Sequence, residues 1–89
     1  MSSVRGLKKD INYVLGDIIE AVYVWEYANP KTDAKKSDAI IDEAIAVFDD
    51  LIAKVNDKSV DNRKIHLKSV NKELEDRGRA LIEKLNKLS

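Results

Sequence analysis

Apolar residues recur at steps of three and four along three long segments of the chain, which is the periodicity of amphipathic helices. This spacing predicts helices over residues 6–28, 33–56 and 59–88. Short links between helices of this length favour an all-α, antiparallel up-down-up three-helix bundle. The 89 residues are therefore predicted to form a single helical domain, residues 1–89.

Breakers and capping residues set the predicted boundaries of these helices. Pro30, the only proline, disfavours helical backbone at Asn29, so the first helix should end there. Ser59 is predicted to be the N-cap of the third helix. The second helix has three candidate N-caps, which are Thr32, Asp33 and Ser37.

Each predicted helix carries one apolar stripe that the core should bury. The stripe of the first helix comprises Leu7, Ile11, Val14, Ile18, Val22 and Trp25. That of the second comprises Ile41, Ala44, Ile45, Phe48, Leu51, Ile52 and Val55. That of the third comprises Leu67, Val70, Leu74, Gly78, Leu81, Leu85 and Leu88. From its central place in the second stripe, Phe48 is predicted to be fully buried.

Gly78 interrupts the third stripe at a position where a leucine is expected. A glycine inside a helix costs about 1 kcal/mol relative to alanine, so its presence calls for a packing reason. Counting about 1.5 Å per residue along the first and third helices places Gly78 level with Val22 to Trp25. The missing side chain is therefore predicted to form a notch for the Trp25 indole.

The first helix has more apolar surface than one core face requires. Its segment YVLGDIIEAVYVWEY, residues 13–27, holds four of the five aromatic residues of the chain. Either neighbouring side chains of the monomer cover this surplus, or the helix packs against a second copy or another protein. We prefer the second interpretation and expect a homodimer or a complex with another protein. The predicted interaction face comprises Tyr13, Ile19, Tyr23, Val24 and Tyr27.

Composition and charge narrow the function classes. Sixteen basic residues balance sixteen acidic ones, which does not favour a nucleic-acid binder. Without cysteine the chain forms no disulfide or thiolate metal site. The N-terminal segment lacks the apolar region of a signal peptide, and acidic residues interrupt the most apolar stretch. A cytoplasmic location without membrane contact is therefore expected.

Candidate residues for chemistry each have a simpler structural interpretation. His66, the only histidine, lacks a ligand partner at helical metal-site spacing and is predicted to lie on the surface. The acidic residues Asp17, Glu20, Asp38, Asp42 and Asp49 are predicted to form solvated helix faces. Neither a nucleophile motif nor a phosphate-binding glycine loop occurs in the sequence. No catalytic, cofactor or metal site is predicted, and the protein is not expected to be an enzyme.

The third helix offers an alternative function. Lys68, Lys72 and Arg79 share one side of it, so a small regulatory protein could contact nucleic acid there. Acidic residues are interspersed with this basic side, which weakens the electrostatic attraction to phosphates. A non-enzymatic interaction or assembly module is therefore the preferred function, and nucleic-acid contact is the alternative.

The segment RGLKKDINYVLGDIIEAV, residues 5–22, resembles the start of small uncharacterised bacterial helical proteins with a similar Lys-Lys-Asp-Ile-Asn-Tyr run. The resemblance covers about a fifth of the chain. It implies a compact helical domain, and it carries no functional residue over to this sequence.

Overall fold

Three helices pack against one another in the protein. A computed structural model describes residues 4–88 and contains α1 (Val4–Ala28), α2 (Lys35–Asn56) and α3 (Arg63–Asn86). Every pair of these helices is in contact, which confirms the predicted all-α three-helix arrangement. Among the described residues, no helix is both long enough and apolar enough to cross a bilayer.

The turn between α1 and α2 lies where the sequence predicts it. The Asn29 side-chain amide donates to the Trp25 carbonyl oxygen at 2.8 Å, which satisfies a carbonyl at the end of α1. α2 begins at Lys35, two residues later than predicted. The Asp33 carboxylate accepts a hydrogen bond from the Lys35 backbone N–H at 3.0 Å, which places Asp33 in the turn before the helix. Ser37 lies buried in the first turn of α2 and is not its N-cap.

The predicted N-cap of α3 is wrong. Ser59 lies in the link before the helix, where its backbone N–H and its hydroxyl both donate to the Asp57 carboxylate, at 2.9 and 2.6 Å. Asn62 is the N-cap, and its side-chain oxygen accepts from the Ile65 backbone N–H at 3.2 Å. Asparagine is as strong an N-cap as serine, so the later start loses no capping energy.

The core lies between the three helices, and Ser37 is its only polar member among the described residues. α1 contributes Leu7, Ile11, Leu15, Ile18 and Val22. α2 contributes Ser37, Ile40, Ile41, Ala44, Val47, Leu51 and Val55. α3 contributes Leu67, Val70, Leu74, Gly78 and Leu81. Burying these apolar side chains supplies the main favourable free energy of folding.

The buried face of α2 is rotated by about 45° from the predicted stripe, at about 100° per residue. Ile40 and Val47 are buried, whereas Ile45 is 47% exposed and Phe48 is only half-buried. The prediction of a fully buried Phe48 is therefore wrong. Apolar residues cover a wide arc of α2, and the positions of α1 and α3 decide which part of that arc is enclosed.

The predicted pairing of Gly78 with Trp25 is also wrong. A Cβ atom at Gly78 would lie 3.3 Å from Cγ1 of Val14 and 4.0 Å from Cδ1 of Ile18. The reason is the true start of each helix: Gly78 is fifteen residues after Arg63, and Ile18 is fourteen after Val4. Trp25 instead lies half-buried beside a surface groove that Lys36 and Leu88 also line.

Ion pairs join the outer edges of α2 and α3. Lys54 Nζ lies 2.8 Å from the Glu73 carboxylate, and Arg77 donates to Glu73 at 2.8 Å and to Asp50 at 2.6 Å. The hydrogen bond from Lys54 lowers the pKa of Glu73. The hydrogen bond from Arg77 likewise lowers the pKa of Asp50. Both carboxylates are therefore more favourable as ions in the folded protein than in the unfolded chain.

Replacing Glu73 with glutamine is expected to lower the free energy of unfolding at neutral pH. Because the folded-state pKa of Glu73 is depressed, its contribution is present above its ordinary pKa of 4.5 and is lost as the pH falls through the folded value. Urea unfolding of Glu73→Gln across this pH range measures the loss, with the exposed Glu75→Gln as control. If the loss in free energy of unfolding caused by Glu73→Gln were as large in acid as at neutral pH, it would not arise from the lowered pKa of Glu73.

Candidate interaction surface

The outer face of α1, opposite the core, exposes most of the residues that form the predicted interaction face. Tyr13 is 61% exposed, Tyr23 56%, Val24 61% and Tyr27 90%. Ile19 differs from them because it is half-buried and packs against the edge of the core. Four large apolar side chains thus lie in solvent on one helix, with no covering side chains from the monomer over most of their surface.

The remaining exposed apolar residues are dispersed. Among the described residues, seven large apolar side chains are exposed, and the three outside α1 are Ile45 on α2 and Ile65 and Ile82 on α3. Single exposed apolar side chains are normal on soluble proteins, whereas contiguous groups of them mark contact sites. The concentration on α1 therefore distinguishes this helix as the candidate interaction surface.

Three residues of the same face were absent from the sequence prediction. Lys9, Gly16 and Glu20 are exposed on the outer side of α1, with Lys9 before Tyr13 and the other two between Tyr13 and Tyr23. The prediction selected apolar side chains alone and so passed over them. Together with Tyr13 and Tyr23 they follow one another at steps that alternate between four and three residues. This spacing places them on the same face of the helix as the tyrosines.

A small polar cluster lies where α1 ends and α2 begins. The buried Ser37 hydroxyl donates to the Glu26 carboxylate and lies 3.0 Å from the Ala34 carbonyl oxygen. A hydrogen bond with Glu26 also raises the pKa of Asp38 above its ordinary value. The Ser37 hydroxyl therefore links the end of α1 to the start of α2. The Asp38 carboxyl group binds a proton more readily than an isolated aspartate does.

Four other acidic residues were considered for chemistry in the sequence. Asp17, Glu20, Asp42 and Asp49 are exposed, as predicted. Within residues 4–88, no group of three or more histidine, aspartate or glutamate side chains is placed to hold a metal ion.

His66 is not a free surface side chain, contrary to the prediction. It is half-buried, and its Nε2 lies 2.6 Å from the Lys54 carbonyl oxygen near the end of α2. Because a carbonyl oxygen only accepts, Nε2 carries the proton and donates. The ring thereby adds a second hydrogen bond to this carbonyl oxygen, which also accepts from the Asp57 backbone N–H at 3.2 Å. His66 has a structural role at the junction of α2 and α3.

The basic side of α3 is exposed but is not uniformly positive. Lys68, Lys72 and Arg79 all face solvent. Asp76 lies 3.8 Å from Lys72 and 3.9 Å from Arg79, so a carboxylate already neutralises part of this charge. This arrangement gives little support to a phosphate-tracking surface.

Comparisons were made with known protein families, curated proteins and solved structures. The chain matches none of them.

Proposed function

We propose that the protein is a small non-enzymatic, cytoplasmic assembly module that forms a homodimer through the outer face of α1. The observation that carries this proposal is the exposure of Tyr13, Tyr23, Val24 and Tyr27 on a single helix. Tyrosine is enriched in protein interfaces because its ring buries a large apolar area while its hydroxyl stays hydrogen-bonded. Closed two-fold dimers are the commonest assemblies of soluble proteins, so a second copy is the favoured partner.

We also infer that the bundle is antiparallel, with an up-down-up order. The α2–α3 ion pairs support opposite directions for these two helices: Glu43 with Lys84, Asp50 with Arg77, and Lys54 with Glu73. Gly78 lies beside Ile18, and Leu88 shares a groove with Trp25, which supports a common direction for α1 and α3. In this arrangement α2 and α3 both lie on the inner side of α1, which leaves its outer face free for a partner.

Removing the aromatic rings from this face should separate the dimer. Tyr23→Ser/Tyr27→Ser is expected to weaken self-association at least about tenfold, because interface tyrosines are frequent hot spots. Sedimentation equilibrium over a range of protein concentrations measures the change. Ile65→Ser is the matched control, since Ile65 is 63% exposed but lies on α3. The proposal fails if the wild-type chain is monomeric at every concentration. It also fails if the double tyrosine variant self-associates as strongly as Ile65→Ser.

A further inference from the structure

The outer face of α1 has the residue spacing of a helix–helix seam. Six of its exposed positions follow one another at steps of four, three, four, three and four residues, which is the spacing of the a and d positions in a heptad. Gly6 precedes them by three residues and continues the same pattern. These six exposed positions, which with Gly6 we name the outer seam, are Lys9, Tyr13, Gly16, Glu20, Tyr23 and Tyr27.

Gly16 has no packing reason within the monomer. A Cβ atom at this position would meet no atom within 4 Å, whereas one at Gly78 would lie 3.3 Å from Val14. Glycine in an exposed helix interior destabilises the helix relative to alanine. A close approach by another molecule would account for the absence of a side chain here, as it does for glycine elsewhere.

The residues of the outer seam complement themselves when two copies of α1 run antiparallel. In an antiparallel pair of helices, each a position of one copy lies opposite a d position of the other copy. In one such register, the numbers of the two opposing residues add up to 29. It sets Tyr13 opposite Gly16 of the second copy, and Tyr23 opposite Gly6 of the second copy. It also sets Lys9 opposite Glu20 of the second copy. The Tyr13 and Tyr23 rings thus each meet a glycine, and Lys9 and Glu20 each meet the opposite charge, while Tyr27 lies beyond the paired stretch.

Other arrangements of the same seam lose this complementarity. A parallel pair aligns Lys9 with Lys9 and Glu20 with Glu20, and like charges that face one another in an interface disfavour association. Sliding the antiparallel pair by one heptad sets Glu20 opposite Gly16 of the second copy, which leaves the carboxylate without a cation. Of these three arrangements, only the antiparallel register whose numbers sum to 29 sets Lys9 opposite Glu20.

We propose that the partner of α1 is a second copy packed antiparallel, with the Tyr13 ring seated on Gly16 of the second copy. Two symmetry-related ion pairs between Lys9 and Glu20 flank these central contacts. This arrangement rests on the proposed function, which requires only that the outer face of α1 form a homodimer.

Charge reversal tests this register. Lys9→Glu and Glu20→Lys each place like charges opposite one another, so each variant alone is expected to associate at least about tenfold more weakly than wild type. An equimolar mixture of the two variants restores both ion pairs and should form a heterodimer within about threefold of wild-type affinity. Lys68→Glu, an exposed change on α3, serves as the control.

The outcomes separate the register from the proposed function. A monomeric wild-type chain overturns both. A dimeric wild type whose charge variants associate normally, or whose mixture is no stronger than the single variants, overturns the antiparallel register alone. Gly16→Leu provides a second measurement: circular dichroism should show an intact helical fold, while sedimentation should show weaker association. Unchanged association of Gly16→Leu would also overturn the proposed contact.

Discussion

Leu51→Ala is expected to lower the free energy of unfolding by about 2–5 kcal/mol, the range found for buried leucine truncations. Leu51 is fully enclosed, with no exposed surface, and it lies on the buried face of α2. The loss combines the transfer free energy of the removed atoms with the cavity that remains. Since small domains have total stabilities of about 5–15 kcal/mol, the variant should melt at a much lower temperature.

Two further truncations on α2 make this measurement a test of helix rotation. Ile45→Ala removes a side chain that is 47% exposed and should cost less than about 1 kcal/mol. Phe48→Ala should cost less than Leu51→Ala, although it removes more atoms, because Phe48 is half-buried. Urea unfolding followed by circular dichroism gives the three values. An order with Phe48→Ala as the largest loss would show that α2 is rotated toward the face first predicted from the sequence.

The three helices were predictable because local sequence determines them, whereas the rotation of α2 was not. Of the six residues in the predicted stripe of α1, four are buried: Leu7, Ile11, Ile18 and Val22. α2 has apolar residues on both flanks of its stripe, at Ile40 and Val47 and at Ile45 and Phe48. Periodicity gives the width of such an arc, but only the neighbouring helices determine which flank is enclosed.

The link between α2 and α3 was mispredicted for a related reason. Ser59 and Asn62 are both good N-caps, and the sequence gives no ground for choosing between them. The choice depends on contacts distant in sequence, since His66 binds the Lys54 carbonyl oxygen twelve residues away. Because α3 begins four residues later than predicted, Gly78 lies level with Val14 and Ile18 of α1 and not with Trp25.

The candidate surface was predictable in its apolar part. An excess of aromatic residues on one helix points to a second contact face, and the structure leaves Tyr13, Tyr23 and Tyr27 in solvent. A partner is harder to infer from one chain, because the packing of a monomer does not record what binds its exposed faces. Our proposal of a second copy as the partner rests on the order of Lys9, Gly16 and Glu20 along the outer seam.

Gly78→Leu is expected to lower the free energy of unfolding by about 1–3 kcal/mol, as overpacked core positions do. A Cβ at this position already lies 3.3 Å from Cγ1 of Val14, which is closer than ordinary van der Waals contact. Val14 is β-branched and lies in a helix, so its χ1 rotamer is stiff and the methyl group does not swing aside freely. The further atoms of leucine would therefore push α1 and α3 apart.

Alanine at the same position and at Gly16 separates packing from helix propensity. Replacing glycine with alanine inside a helix gains about 1 kcal/mol, and Gly16→Ala should show this gain because its Cβ meets open space. Gly78→Ala should show less of it, since the contact with Val14 offsets part of the gain. Thermal and urea unfolding at concentrations where the chain is monomeric would measure all three variants. If Gly78→Leu stabilised the protein as much as Gly16→Ala, α1 and α3 would not approach closely at Gly78, and the packing described for this layer would be wrong.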